Sequence, residues 1–386
     1  MLVHGPYPVG EGRVASEARA AIEAGWEVDV VSMRMPGEPA EEVVDGVRVV
    51  RLPMARKRGG ILSMAREYLG FTLLSSARLA ALMRRRRYRV VHVHNPPDFL
   101  VVAALIPRAL GARVILDIHD VASELFSMRF AGRRGAESAR RLLEHVERRA
   151  TRFASAVVTV HDPYRRALAA RGVPPEKITV VLNSLDERLI PDGPPPAEDG
   201  RFRVVYHGTI TPHYGLELLV EAAAQVAPSE PGLEVEIYGD GDALEQVRNR
   251  ARTLGVDDRV HTTGRFLPRR EVLERVRGAR AGVICNLPIE LNASALPTKL
   301  FEYALLRVPI VSADLPTIRE HFSSDEVLFY RAGSADALAG ALREVAADRE
   351  AAEARADAAR RRFDEYRWDR SATRYVELLE RLDQRT

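Results

Sequence analysis

The chain has 386 residues, of which 46% are hydrophobic and 29% charged, enough apolar side chain to fill two domain cores. A single cysteine, Cys285, excludes a disulfide framework and a cysteine-based zinc cluster. No run of 18 apolar residues occurs, Phe99–Pro107 being the best, and the start MLVHGPYPVG has no basic n-region or signal-like apolar segment; neither a membrane span nor export is expected.

The net charge of +3 conceals an asymmetry. Residues 1–190 hold 30 basic against 21 acidic residues, and residues 191–386 hold 27 against 33. Residues 51–90 alone carry eleven basic residues and one acid, Glu67. The two halves should therefore meet different partners.

In chain order, the first half opens on a short strand, Leu2–His4. Further strands are expected at Trp26–Ser32, Val47–Leu52, Val90–His94, Arg113–Ile118, Ala156–Val160 and Ile178–Leu182. Helical patterns lie between them at Val14–Ala24, about 61–85, Phe99–Ala109, Ala136–Phe153 and Pro163–Ala170. The proline- and glycine-filled stretch PDGPPPAEDG, residues 191–200, reads as an interdomain linker. The rhythm then repeats, with strands at Arg203–Tyr206, Glu234–Tyr238, Arg259–Thr262, Ala281–Cys285, Pro309–Ser312 and Val327–Phe329. Helices are expected at Gly215–Ala227, Ala243–Leu254, Arg269–Val276, Thr298–Ala304 and as one long charged helix over about 334–365. Ser371–Leu382 closes the chain as an amphipathic helix. This alternation predicts α/β architecture: two parallel sheets covered by helices, with ligand chemistry at the carboxyl ends of the strands.

The motifs fall at such strand ends. Asp117-Ile118-His119-Asp120, with Glu124 following, places an imidazole among carboxylates, suited to contacting a polyol or guiding a proton; a structural His–Asp hydrogen bond is the plainer reading. His94-Asn95-Pro96-Pro97-Asp98 occupies a similar place, with a rigid turn. Gly208, followed by TITPHYG, could offer backbone N–H groups to an anion. Gly239-Asp240-Gly241-Asp242 reads as a metal-binding pair or, preferably, as a tight turn with Asp242 near a helix N-cap. In NASALPTKLFE, residues 292–302, Pro297 and Thr298 open a helix, and Lys299 and Glu302 share a face near its start. A cation at a helix N-terminus suits a diphosphate and a neighbouring carboxylate suits ribose hydroxyls; an intrahelical ion pair is the alternative. Cys285 reads as a buried core thiol. The apolar stretch between RKRGG and RRRRYR fits an anionic membrane surface or a packed helix with a basic tip. Nucleic acid is disfavoured, since no nucleic-acid module is present and the second half is acidic.

Together these stretches resemble the retaining glycosyltransferases of family 4, which have the GT-B fold of two Rossmann-like domains, and in particular a bacterial subgroup with a PxKxFEY motif. The resemblance covers nearly the whole chain: GPYPVGEGRVASEARAAIEAGWEVDVV, VHVHNPPDFL, VILDIHDVASELF, VVYHGTITPHYGLELLVEAA, IYGDGDALEQV, LPTKLFEYALLRVPIVSAD and FDEYRWDRSATRYVELLERL. It implies an acceptor-side domain over 1–190, a linker over 191–200, a nucleotide-sugar domain over 201–365, and a C-terminal helix over 366–386 packing back toward the first domain.

For the site, the resemblance implies Glu302 on the ribose, Lys299 on phosphate and His119 beside the transferred sugar. Gly10 and Arg13 would approach the diphosphate, and Pro297, Thr298 and Leu300 would line the donor. Gly208, Thr209, Tyr214, Gly239 and Gly241 would form the nucleotide-side loops, with His94, Asn95, Asp98, Asp120 and Glu124 toward the acceptor. The donor would be a UDP- or GDP-sugar, with no metal required, and the acceptor a glycan, a lipid-linked sugar or a small molecule. A cytoplasmic enzyme, peripheral on the inner face of the membrane, is implied. Four positions depart from the family pattern. Ser294 stands where the first of two glutamates is usual, leaving sugar contacts to Asn292, Ser294 or backbone; Thr209 or Ile210 and Tyr214 replace an Arg and a Lys; Arg307 replaces a glycine.

Overall fold

The computed structural model describes residues 1–8, 11–54, 61–119, 126, 136–193 and 200–384. The chain divides into two compact units, one comprising Met1–Asn183 with Asp369–Thr386 and the other Ser184–Trp368.

The first unit is built on eight strands: β1 (Leu2–Pro6), β2 (Asp29–Met33), β3 (Glu41–Val44), β4 (Val47–Leu52), β5 (Val90–His94), β6 (Arg113–Ile118), β7 (Ala156–Thr159) and β8 (Ile178–Val180). Their order in the sheet is β3-β4-β2-β1-β5-β6-β7-β8. All neighbours run parallel except β3 with β4. Every residue of β2 and β7 is buried, as expected where helices cover both faces of a parallel sheet. The strand β3 is not expected from the sequence pattern, because Glu41 and Glu42 sit on an exposed edge. The signal for it was Asp45-Gly46, whose φ values of 50° and 81° make the two-residue turn that joins β3 to β4.

The second unit holds six strands, β9 (Phe202–His207), β10 (Leu233–Tyr238), β11 (Val260–Thr262), β12 (Ala281–Ile284), β13 (Ile310–Ala313) and β14 (Leu328–Tyr330), in the order β11-β10-β9-β12-β13-β14 and all parallel. This is the doubly wound arrangement, and the first unit has it too apart from the β3 hairpin. In both, the strand order reverses beside the first strand, between β1 and β5 and between β9 and β12, the kind of switch point that opens a crevice at the carboxyl ends of the strands.

Several elements depart from expectation. The first strand is longer than a stub, and β2 starts at Asp29 rather than Trp26. The expected helix Phe99–Ala109 is a 3-10 helix, Asp98–Ala104, followed by one short α-helical stretch, Leu105–Ala109. The expected long helix over 334–365 is two, Ala335–Ala347 and Arg349–Phe363, because Asp348 turns out of helical geometry and its carboxylate caps the second by accepting from the Ala351 amide at 2.9 Å. The division between units falls at Asn183/Ser184, ahead of the proline-rich stretch. Residues 184–193 belong with the second unit, where the buried Arg277 guanidinium donates to the Pro191 carbonyl at 2.8 Å and to that of Gly193. Residues 194–199 of the expected linker lie outside the described residues.

Candidate functional site

In the first unit, the carboxyl ends of β5 and β6 gather a buried polar cluster. His92 and His94 lie two apart on β5 and so share a face, and His94 pairs in register with Asp117 on β6. From the other side the helix Gly12–Glu23 brings Arg13 and Glu17, four apart on one helical face. The C-terminal helix Trp368–Asp383 adds Tyr375.

Asp117 Oδ2 is the hub. Arg13 holds Asp117 with two hydrogen bonds, Nε to Oδ2 at 2.9 Å and Nη2 to Oδ1 at 3.1 Å, while its Nη1 donates to the Val181 carbonyl at 2.6 Å. His119 Nε2 lies 3.2 Å from the same Oδ2, His94 Nδ1 3.5 Å and His92 Nε2 3.6 Å. Burial opposes charge on Asp117, but Arg13, His119 and His92 overcome it and hold its carboxyl well below the usual range. Burial has the opposite result for Glu17, whose carboxyl is pushed well up despite Arg13. Burial also lowers His92 and His94, keeping both neutral. The cluster thus sets Asp117, held down by Arg13, beside a Glu17 carboxyl that burial pushes up and the His92 and His94 imidazoles that burial pulls down.

Among the described residues, Glu17, His92, His94 and Asp117 are the group with metal-ligand chemistry, their ligand atoms lying within 4.8 Å of one another. The Arg13 guanidinium lies within the same group, 2.9 Å from Asp117 and 3.1 Å from Glu17.

This geometry revises several expectations. Arg13 does not reach toward a diphosphate: it is buried, with its guanidinium committed to Asp117, Glu17 and Val181. His94, Asn95 and Asp98 are buried rather than turned to an acceptor. They position instead: Asn95 Oδ1 accepts from the His119 amide at 2.7 Å, and Asn95 Nδ2 donates to Asp98 Oδ1 at 2.8 Å. His119 keeps partial exposure, its side chain 18% accessible while Glu17, His94 and Asp117 are at 0%. Gly10, Asp120 and Glu124 lie outside the described residues.

Burial pushes the Asp98 carboxyl up to about 7, against the Asn95 hydrogen bond. A folded value above the unfolded one means that this proton stabilises the fold fully at acid pH and that the contribution is lost as pH rises through about 7. Asp98→Asn keeps the acceptor for Asn95 without the charge. The variant should be more stable than the parent by roughly 1–3 kcal/mol at pH 8, converging with it near pH 4, as read from urea unfolding at both values.

In the second unit the corresponding crevice is lined by the loop after β9 and the helix Thr298–Leu305. Lys299 is buried, with Nζ over the rings of Tyr206 at 4.7 Å and Tyr214 at 5.0 Å. Burial pulls its ammonium down to about 8, partly offset by Glu302. Glu302 is fully buried and does not pair with Lys299. It meets His207 Nε2 at 3.1 Å and the guanidinium of Arg269, which comes from the helix Arg269–Val276 and is itself 46% exposed. Burial opposes the charge on Glu302, but Arg269, His207 and Lys299 keep its carboxyl below the ordinary value. Burial brings His207 down to about 4, so it is neutral.

The glycines of this unit have a different role from the one expected. The Gly208 amide donates to the Tyr238 carbonyl at 2.9 Å, that of Gly239 to Thr263 Oγ1 at 2.9 Å and that of Gly241 to Asp240 Oδ1 at 2.8 Å. All three are committed within the loops. What the positions require is lack of a Cβ: one at Gly239 would lie 1.8 Å from the Gly208 carbonyl oxygen, and one at Gly241 2.1 Å from that of Ile210. The GDGD turn reading holds: Asp242 stands next to Ala243, the N-cap of the helix Leu244–Leu254, which has no side-chain cap.

Asn292 is likewise committed: its Nδ2 donates to the carbonyls of His213 and Leu287, each at 2.8 Å, which anchors the loop carrying the half-buried Tyr214. Ser294 Oγ donates to the Leu291 carbonyl at 3.1 Å. Thr209 is exposed, with its carbonyl accepting from Tyr206 Oη at 2.8 Å. Pro297 and Thr298 are half-buried at the helix start, and the amide of the buried Leu300 donates to the Pro297 carbonyl at 3.1 Å. Cys285 is buried, as expected of a core thiol.

Sequence reasoning missed Glu17, His92, Tyr206, His207, Arg269 and Tyr375. The i, i+2 pair His92/His94 and the i, i+4 pair Arg13/Glu17 were readable signals; Arg269 and Tyr375 carry none, because only tertiary folding brings them in.

Residues 10–184 match the family described as glycosyl transferase 4-like domain, and residues 192–362 match glycosyl transferases group 1. A sucrose-phosphate synthase from Thermosynechococcus elongatus has a similar structure, with a TM-score of 0.78 at 17% identity over 100% of this chain and 96% of that one. So does Anabaena HepE in complex with UDP-glucose, with a TM-score of 0.69 at 14% identity over 98% of each chain. At these identities the likeness shows the fold. A stretch of 114 residues, 30% of this chain, is 30% identical to an exopolysaccharide phosphotransferase of Streptomyces coelicolor, and the match spans 11% of that protein's length. With both halves matched and both sheets doubly wound, this chain belongs to the family 4-like, group 1 glycosyltransferases of GT-B fold.

Proposed function

We propose that the chain is a retaining glycosyltransferase that moves a hexosyl or N-acetylhexosaminyl group from a UDP- or GDP-sugar to an acceptor hydroxyl. The observation that carries this reading is the placing of Lys299 and Glu302, three apart on the helix Thr298–Leu305, as a buried cation held on aromatic faces and a separate buried carboxylate. Such a pair fits the two ends of a nucleoside diphosphate, its phosphates and its ribose diol. Glu302 would take the ribose hydroxyls once the half-exposed Arg269 gives way.

The chemistry asked of the protein is electrostatic. As the glycosidic bond to the diphosphate lengthens, negative charge grows on the leaving oxygen, and Lys299 with the start of the helix Thr298–Leu305 would stabilise it. Acceptor and leaving phosphate lie on one face of the sugar, and the phosphate oxygen takes the acceptor proton. No enzymic nucleophile and no metal is needed for that route. His119, the exposed member of the first unit's cluster, would orient the transferred sugar.

The acceptor is a glycan, a lipid-linked sugar or a small molecule, and a membrane surface fits the first unit. No described helix is long and apolar enough to cross a membrane. The helix Ile61–Met83 buries Phe71, Leu79 and Leu82 yet exposes Leu69 and Leu73, and the nearby 3-10 and α-helical stretch exposes Val102, Leu105 and Ile106. The exposed Arg84–Arg87 follows directly, a combination suited to peripheral binding on anionic lipid at the inner membrane face.

Calorimetric titration with UDP, GDP, ADP and dTDP, followed by turnover of the matching sugars, tests the reading. One nucleotide should bind at micromolar affinity at pH 7. Binding should weaken about tenfold as pH rises through about 8, where Lys299 loses its proton, and Lys299→Met should remove that dependence. No binding of any nucleotide, or donor conversion with no need of an acceptor, would sink it.

A further inference from the structure

His119 is the partly exposed end of a connected series of buried groups that begins on the C-terminal helix. Tyr375 Oη lies 3.0 Å from His92 Nδ1; the His92 ring is stacked on His94, centroids 4.1 Å apart and 32° between planes; His94 Nδ1 lies 3.2 Å from His119 Nε2. From Asp369 onward the helix that carries Tyr375 belongs to the first unit, so the whole series lies within that unit.

We propose that Tyr375 is a positioning residue for His119, acting through His92 and His94. The phenol is the donor to His92 Nδ1. Were it the acceptor, the bare Nε2 lone pair of His92 would face Asp117 Oδ2 at 3.6 Å, lone pair against carboxylate. Donation by Tyr375 puts the His92 proton on Nε2, toward Asp117. Oδ2 then faces Arg13 Nε, His92 Nε2, His94 Nδ1 and His119 Nε2, and the share of its lone pairs left to His119 depends on the other three. Removing the phenol hydroxyl frees His92 to move its proton to Nδ1, toward Glu17 Oε2 at 3.9 Å, and turns a lone pair on Asp117. Asp117 and His119 must then rearrange. Phenylalanine keeps the ring packing, so the hydroxyl alone is tested.

The kinetic half of the test rests on the transferase reading above; the spectroscopic half does not. In full-length protein labelled with 15N-histidine, two-bond proton–nitrogen correlation reports each ring's tautomer, with His119→Gln and His92→Gln assigning two of the signals. Wild type should show His92 protonated on Nε2, and Tyr375→Phe should change both the His92 tautomer and the His119 shifts. It should lower kcat about tenfold with donor KM and nucleotide affinity unchanged. His92 protonated on Nδ1 in wild type overturns the proposal without any variant. Unchanged His119 signals in Tyr375→Phe overturn it too, as does one stoichiometric divalent ion whose chelation, rather than the variant, moves them. If no sugar nucleotide is turned over, the transferase reading fails while the spectra still decide the positioning role.

Discussion

Arg13→Leu should unfold the first unit more readily than almost any other single substitution in it. Removing the guanidinium leaves Asp117 ionised or forced to protonate at 0% exposure and strands the Val181 carbonyl. Breaking a buried ion pair on one side costs about 3–5 kcal/mol, a large part of a domain's total of about 5–15 kcal/mol. Urea unfolding should show the first unit's transition moved to much lower denaturant, with the second unit's transition in place. Nucleotide titration on the still-folded fraction should give unchanged affinity. If Arg13 instead reached a bound diphosphate, stability would barely change and nucleotide affinity would fall at least tenfold. The two outcomes separate a structural arginine from a ligand-binding one.

The expectation that Arg13 contacts ligand shows where sequence reading stops. Strands such as Val90–His94 and Arg113–Ile118 were legible to the residue, because a parallel sheet buried on both faces writes its position as a β-branched run. The motifs at their ends were legible too, since doubly wound sheets put chemistry there. The direction in which each side chain turns was not. Arg13 sits near the end of a loop-to-helix junction, where a solvent-facing and a core-facing arginine look alike in one dimension. The fully buried carboxylate that decides the matter is 104 residues away. The glycines at 208, 239 and 241 show the same limit from the backbone side. A glycine needed for amide access to an anion and one needed for the crossing of two loops have the same letter, and only the 1.8 Å clash at Gly239 tells them apart. The intrahelical Lys299–Glu302 ion pair, left open as the alternative, shows the limit again: Lys299 is near in sequence, but packing directs it onto Tyr206 and brings Arg269 from another helix.

That exchange of partners sets the second large effect. Glu302→Gln should weaken binding of the matching nucleotide about 100-fold while leaving the fold intact. Unlike loss of Arg13, this change strands no charge. Arg269 is half exposed and turns to water, His207 is already neutral, and Lys299 keeps its aromatic bed. Affinity should suffer because charge-assisted hydrogen bonds to two ribose hydroxyls are worth about 1.5–3 kcal/mol each, and an amide offers one acceptor where a carboxylate offers two. Lys299 adds to this, since losing the Glu302 charge lets burial pull its ammonium further below about 8 and reduces the cation available to phosphate. Arg269→Ala supplies the control. If the guanidinium only covers Glu302 in the empty crevice, the variant should bind nucleotide as tightly as the parent or tighter. If Arg269 is itself the ligand contact, Arg269→Ala should lose as much affinity as Glu302→Gln, and the ribose role would pass from the carboxylate to the guanidinium.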